Sequence, residues 1–142
     1  MPAPRPAFSG LAVGDTVATR DIKVTREGLV RYAGASADFN AIHYNDAFAI
    51  SVGLPGVIAH GMFTMGQAVS VVEEWAGVGN VVDYQARFIR PIQVPSLGEA
   101  VVKVTATIGA LDEETKTARI DLAVEFDGQK VLGKSQAVVA CG

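Results

Sequence analysis

One cysteine, two histidines and no long apolar run set the first limits on this chain of 142 residues. A lone thiol, Cys141, makes no internal disulfide, so an oxidised scaffold is excluded and the composition fits a reducing cytoplasm. Two imidazoles and one thiol are a poor supply for a zinc site, and no metal is expected. No stretch approaches the ~18 consecutive apolar residues of a membrane span. The opening MPAPRPAFSG carries prolines where a signal peptide needs an apolar core, so no leader is expected. A net charge of −3 gives no electrostatic footprint for nucleic acid. Internal repeats, long charge runs and low-complexity segments are all missing.

What is present is apolar. Hydrophobic residues make up 49% of the chain, enough that part of the excess is expected to be buried against another subunit. The length suits one domain, residues 1–142, able to bury roughly 70% of its unfolded surface without staples.

The first half, to about Trp75, reads as helical and irregular. Thr25 is a plausible N-cap for TREGLVRYAGAS, in which Leu29, Tyr32 and Ala33 share a face. Asn45 caps NDAFAISVG, and Gly53 stops it. From Gly61 to Trp75 the pattern predicts a helix apolar on nearly every side, hence one wrapped by protein all round, with Gly77 as its C-terminal stop. The second half alternates with period two. Val82, Tyr84, Ala86 and Phe88 form one face of a strand; Val102, Val104, Ala106 and Ile108 form another; Ile120, Leu122, Val124 and Phe126 a third. Asp127-Gly128 signals a two-residue hairpin turn. DTVATRDIKV is a weaker strand signal near the start. The expected picture is α+β: one long central helix against an antiparallel sheet of about five strands.

The chemistry gathers in SADFNAIHYND, residues 36–46, between the two short helices. Asp38 and His43 together suit proton transfer near neutral pH, because the imidazole's ordinary pKa is ~6.5. Asn40, whose amide both donates and accepts, can orient either. The helix start at His60-Gly61-Met62 offers free backbone N–H groups, and Gly61 lacks the Cβ that would keep a carbonyl away. An acid/base pair holding one water opposite an oxyanion site suits adding or removing water across a double bond conjugated to a carbonyl. The competing reading is structural: Asp and Asn form turns, His43 is a loop residue, and His60 is a structural residue at the helix entrance. Ser36 with Asp38 and His43 lacks the context of a nucleophile elbow. Arg87, Arg90, Lys103, Lys130 and Lys134 read as solvated strand positions, and Cys141 as an inert thiol at a frayed end.

The run YAGASADFNAIHYNDAFAISVGLPGVIAHGMFTMG resembles the MaoC-like (R)-specific enoyl-thioester hydratases, and within them the catalytic B-type subunits of actinobacterial (3R)-hydroxyacyl-ACP dehydratases. YQARFIRPIQVPSLGEAV and KVLGKSQAVV extend the likeness over nearly the whole chain. The resemblance implies a hot-dog fold, a long helix wrapped by a curved antiparallel sheet, with an overhanging segment that carries an Asp-x-Asn-Pro-x-His motif. Here Asp38, Asn40 and His43 match it, and Ala41 stands in place of the proline. It implies Asp38 and His43 as the acid/base pair, Gly61 as backbone oxyanion donor, no cofactor, an acyl-ACP or acyl-CoA substrate, and a homodimer or a heterodimer with a sister hot-dog subunit. The implied reaction is reversible dehydration of (3R)-hydroxyacyl thioesters in fatty-acid metabolism. The alternatives are a hot-dog thioester hydrolase and a non-catalytic acyl-binding partner subunit. A serine that some members carry two turns into the helix has Val69 in the matching place, with Ser70 beside it.

Overall fold

The computed structural model describes residues 3–142, so the first two residues of the proline-rich opening lie outside it. The weak early signal is a full strand, β1 (Thr16–Val24), and the two short helices follow it: α1 (Arg26–Ser36) and α2 (Asp46–Ser51). Their caps are the expected ones. Thr25 Oγ1 accepts from the Gly28 N–H at 3.1 Å, and Asn45 Oδ1 from the Phe48 N–H at 3.0 Å, each satisfying an orphan donor of a first turn. The long helix, α3 (Gly61–Ala76), ends at Gly77, whose φ of +86° favours a residue without Cβ. Strands β2 (Val81–Phe88), β3 (Ala100–Asp112), β4 (Thr117–Phe126), β5 (Gln129–Lys130) and β6 (Leu132–Ala140) complete the chain.

All strand pairs are antiparallel. The sheet runs β1-β3-β4-β6-β2, with β5 added on β4. Five strands were expected; the sixth is the two-residue β5, made when Asp127 (φ 53°) and Gly128 (φ 72°) turn the chain back on β4. Both turn residues have positive φ, as a two-residue hairpin of matching twist requires. One face of the sheet is the core. Val104 lies opposite Val124 and Ile108 opposite Ile120, all buried, and Ile120 faces Ala137 on the next strand. Each such fully buried branched side chain contributes roughly 1.5–3 kcal/mol. A bulge between Ile108 and Ala110 bends β3 over the helix.

Three expectations need correction. First, α3 is not enclosed. Thr64, Ala68, Val71, Val72 and Ala76 are buried, one stripe at helical spacing, but Met62 on another side is 59% exposed. One curved sheet covers one side of a helix, and a single chain has nothing to cover the other. Second, β2 does not alternate cleanly. Register shifts at Val81/Asp83 and Gln85/Arg87 break the alternation: Val82 and Phe88 are left exposed, while Tyr84 and Ala86 stay against the core. Third, the C-terminus is not frayed. The Cys141 N–H donates to the Lys116 carbonyl and the Gly142 N–H to that of Pro6, so Cys141 is buried, and burial pushes its thiol pKa up.

Candidate active site

The segment between α1 and α3 is built by short polar side chains that bond to backbone. Helix α1 ends at Ala37 in the left-handed region (φ 60°), which throws the chain back toward the start of α3. Ser36 Oγ accepts from the Asp38 N–H, Asp38 Oδ1 from the Asn40 N–H, and Asn40 Oδ1 from the Ile42 N–H, each at 3.2 Å. The last bond caps a single 3₁₀ turn, Ala41–His43. The side-chain carbonyl of Asn40 is therefore committed to backbone, at the start of the turn that carries His43. Ser36 is a turn residue by the same geometry. Arg26 fastens the whole segment. Its guanidinium donates to both carboxylate oxygens of Asp46, at 2.8 and 3.0 Å, and to the Val94 carbonyl, while Asp46 Oδ1 also accepts from the Val57 N–H.

His43 is buried, and its Nδ1 lies 2.7 Å from the Ile58 carbonyl. A carbonyl only accepts, so Nδ1 carries the proton and Nε2 of the neutral ring is bare. That bare nitrogen faces the Asp38 carboxylate, with Nε2 4.0 Å from Oδ2, and Asp38 itself is about half exposed. His60 is buried beside them, its ring stacked on that of His43 with centroids 3.9 Å apart and planes 22° from parallel. These three residues are close enough to suggest a cation site. The stack argues otherwise: imidazole lone pairs lie in the ring planes, and two nearly parallel planes carry them side by side rather than onto one point.

A cavity of about 370 Å³ opens from this cluster. His43, Ile42, Ile58 and Ala59 form one wall, Gly61 and Thr64 of α3 the next, and Phe88 to Ile92 with Val131 and Leu132 the third. Its lining is largely apolar, the character of a site for a hydrocarbon-bearing ligand. Gly61 is the first residue of α3, where the helix leaves its N–H groups without intrahelical partners. The Phe88 ring lies over it, 3.0–3.1 Å from where a Cβ would stand, so the missing side chain makes room for that ring. The structure thus brings Asp38, His43 and Gly61 to one end of α3. Asn40 supports from behind, and Asp38 stands outside the cavity wall. Thr64, Phe88 and Arg90 were missed as lining residues. In the sequence they are one small residue in an apolar helix and two positions of a strand end, and only the tertiary fold turns them inward. Ser70 donates to the Gln67 carbonyl and does not line the cavity.

The model of the MaoC like domain matches residues 9–125. The chain belongs to the MaoC-like family. Among curated relatives, "3-hydroxyacyl-thioester dehydratase X" of Mycobacterium tuberculosis is 37% identical over 75 residues, 53% of this chain and 26% of that protein. Among solved structures, a "MaoC-like dehydratase" superimposes with a TM-score of 0.94 at 32% identity, over 99% of this chain and 43% of the other. The (R)-hydratase from A. caviae involved in PHA biosynthesis superimposes with a TM-score of 0.82 at 23% identity, over 93% and 98% of the two chains, and shows the shared fold. This MaoC-like chain therefore spans about a quarter of the curated relative and under half of the larger structure it matches. Among the described residues no helix is long and apolar enough to cross a membrane.

Proposed function

We propose that this MaoC-like chain catalyses the reversible dehydration of (3R)-hydroxyacyl thioesters, carried on acyl carrier protein or coenzyme A, to trans-2-enoyl thioesters. The observation that carries the reading is the bare Nε2 of His43 facing the Asp38 carboxylate at the edge of an apolar cavity that begins at Gly61. The thioester oxygen accepts from the Gly61 N–H, which stabilises the charge that develops as the C2 proton leaves. An oxyanion donor of this kind is worth about 2.7–4 kcal/mol. One member of the Asp38/His43 pair takes the C2 proton; the pair returns a proton to the C3 hydroxyl, which departs as water while the C2–C3 double bond forms. Hydration is the same path reversed. The acyl chain occupies the apolar part of the cavity.

The test is ultraviolet absorbance of an enoyl thioester mixed with the purified chain, over a series of acyl lengths. The expected result is loss of absorbance with no thiol released. Release of free thiol instead would make the chain a thioester hydrolase, and an inert chain would make it a binding subunit. The joint presence of Asp38 and His43 speaks against the latter, since binding alone needs neither.

A second subunit is part of the proposal. Among the described residues strand β2 is paired on one side, by β6. Its outward Val82 is 60% exposed, and a groove of about 360 Å³ separates it from Val69 and Glu73 of α3. An open edge beside an uncovered apolar helix face is a surface that stable monomers avoid. An identical chain or a sister hot-dog subunit suits it.

A further inference from the structure

The mechanism above leaves one buried imidazole unused. His60 is 1% exposed, sits at the N-cap of α3, and makes no capping bond with its side chain. Its Nε2 lies 3.2 Å from the backbone carbonyl of Asp38, so Nε2 carries the proton. Its Nδ1 has no hydrogen-bond partner among the described residues. A buried polar atom left bare costs free energy, and a solely structural position would be filled at less cost by an apolar residue. The ring is also clamped: His43 stacks on one face at 3.9 Å, and Tyr32 of α1 meets it with centroids 4.7 Å apart at 66°.

We propose that His60 is a positioning residue for the Asp38/His43 pair, held neutral as the Nε2–H tautomer between the Asp38 carbonyl and the His43 ring. The assignment rests on the dehydratase reading for its kinetic consequence but not for its structural one. His60 joins the two catalytic residues by different means. A hydrogen bond fixes the backbone of Asp38, and ring contact fixes the plane of His43. Both run from one side chain rooted immediately before Gly61, so acid, imidazole and oxyanion donor are set by a single anchor. Neutrality follows from the surroundings. A second proton on Nδ1 would be a buried charge without an acceptor, pressed against another imidazole. Burial first, and then His43, hold the pKa of His60 below its ordinary value, against the opposing pull of Asp38. The ionisable groups facing it are Tyr32 from α1 and Asp38 and His43 from the loop.

The experiment has two arms. Ring ¹⁵N spectra of the wild-type chain are expected to show His60 protonated at Nε2 and bare at Nδ1 at neutral pH, taking up its second proton only at a lower pH than an ordinary imidazole does. This arm needs no enzymatic activity, so it decides the inference even if the dehydratase reading fails. In the kinetic arm, His60→Ala is expected to lower kcat on the order of 10²-fold, the cost of misplacing reacting groups by about 1 Å, with KM nearly unchanged. His60→Gln, whose amide N–H can still reach the Asp38 carbonyl, is expected to recover part of that loss, while His60→Phe, which keeps only a ring, recovers less. An imidazole that titrates normally at position 60, or a His60→Ala chain with full kcat, would overturn the proposal.

Discussion

The Asp38 carboxylate stands 4.0 Å from His43 Nε2. That is too long for a direct hydrogen bond and short enough for one water, or one substrate hydroxyl, to lie about 2.8 Å from each. The pair is poised around a guest rather than closed on itself. Removing either member is therefore expected to remove proton transfer and leave the fold alone. Asp38→Asn and His43→Ala are each expected to lower turnover by about 10²-fold or more, with unchanged circular dichroism. Near-normal turnover in either purified variant would remove that residue from the reaction.

Gly61 and Phe88 are expected to be coupled. A Cβ on Gly61 would stand 3.0–3.1 Å from three atoms of the Phe88 ring, closer than carbon atoms rest. Phe88 is a half-exposed side chain at a strand end, so it can swing away and stability should change little. Because both residues line the cavity, a displaced ring is expected to disturb the space beside the Gly61 N–H. Gly61→Ala is expected to impair turnover strongly, and the double variant with Phe88→Ala to regain part of it. Additive losses across this mutant cycle would show that the two positions act independently.

Much of this architecture was legible from local chemistry. Thr25, Asn45 and Gly77 mark helix ends because their side chains, or the lack of one, act on backbone within one turn. Asp127-Gly128 marks a hairpin for the same reason. The polar loop marks Asp38 and His43 as candidates, since an acid and an imidazole have little reason to interrupt an apolar chain. What stayed hidden depends on long-range partners. The exposure of Val82 follows from bulges in the β2–β6 ladder, which period-two reading assumes away. The stack of His60 on His43 needs α3 and the loop docked before it exists. The reading of Asn40 assumes a free amide, whereas the chain spends its side-chain carbonyl on a cap.

Acid is expected to loosen the overhanging segment through Asp46. Its carboxyl is held below the usual value of 3.8, first by the Val57 N–H and then by Arg26. A carboxyl depressed in the folded state stabilises the fold fully above its unfolded pKa, and that contribution is lost as pH falls through the lower, folded value. Asp46→Asn should thus melt at a lower temperature than wild type at pH 7. The gap should shrink as the pH is taken below about 4, where the carboxyl of the unfolded chain protonates, and close once the pH lies below the lower, folded value. A gap that stays constant down to strong acid would mean that Asp46 acts by shape alone.

The open edge of β2 gives the last expectation. If a second subunit covers Val82 and the neighbouring face of α3, the purified chain should run in solution at about twice its 14.8 kDa. It should do so with itself, or with a sister subunit when the two are produced together. Val82→Lys places a charge on an edge strand, a device that natural sheets use to refuse pairing. The variant is expected to fold, because Val82 is outside the core, and to run as a monomer by light scattering. Its activity separates two roles for the partner. A cavity complete within one chain keeps turning over short acyl groups after the subunits part, whereas one that borrows a wall loses turnover together with mass. A wild-type chain that is monomeric both alone and with candidate sisters would leave the exposed faces of β2 and α3 without the occupant argued for them.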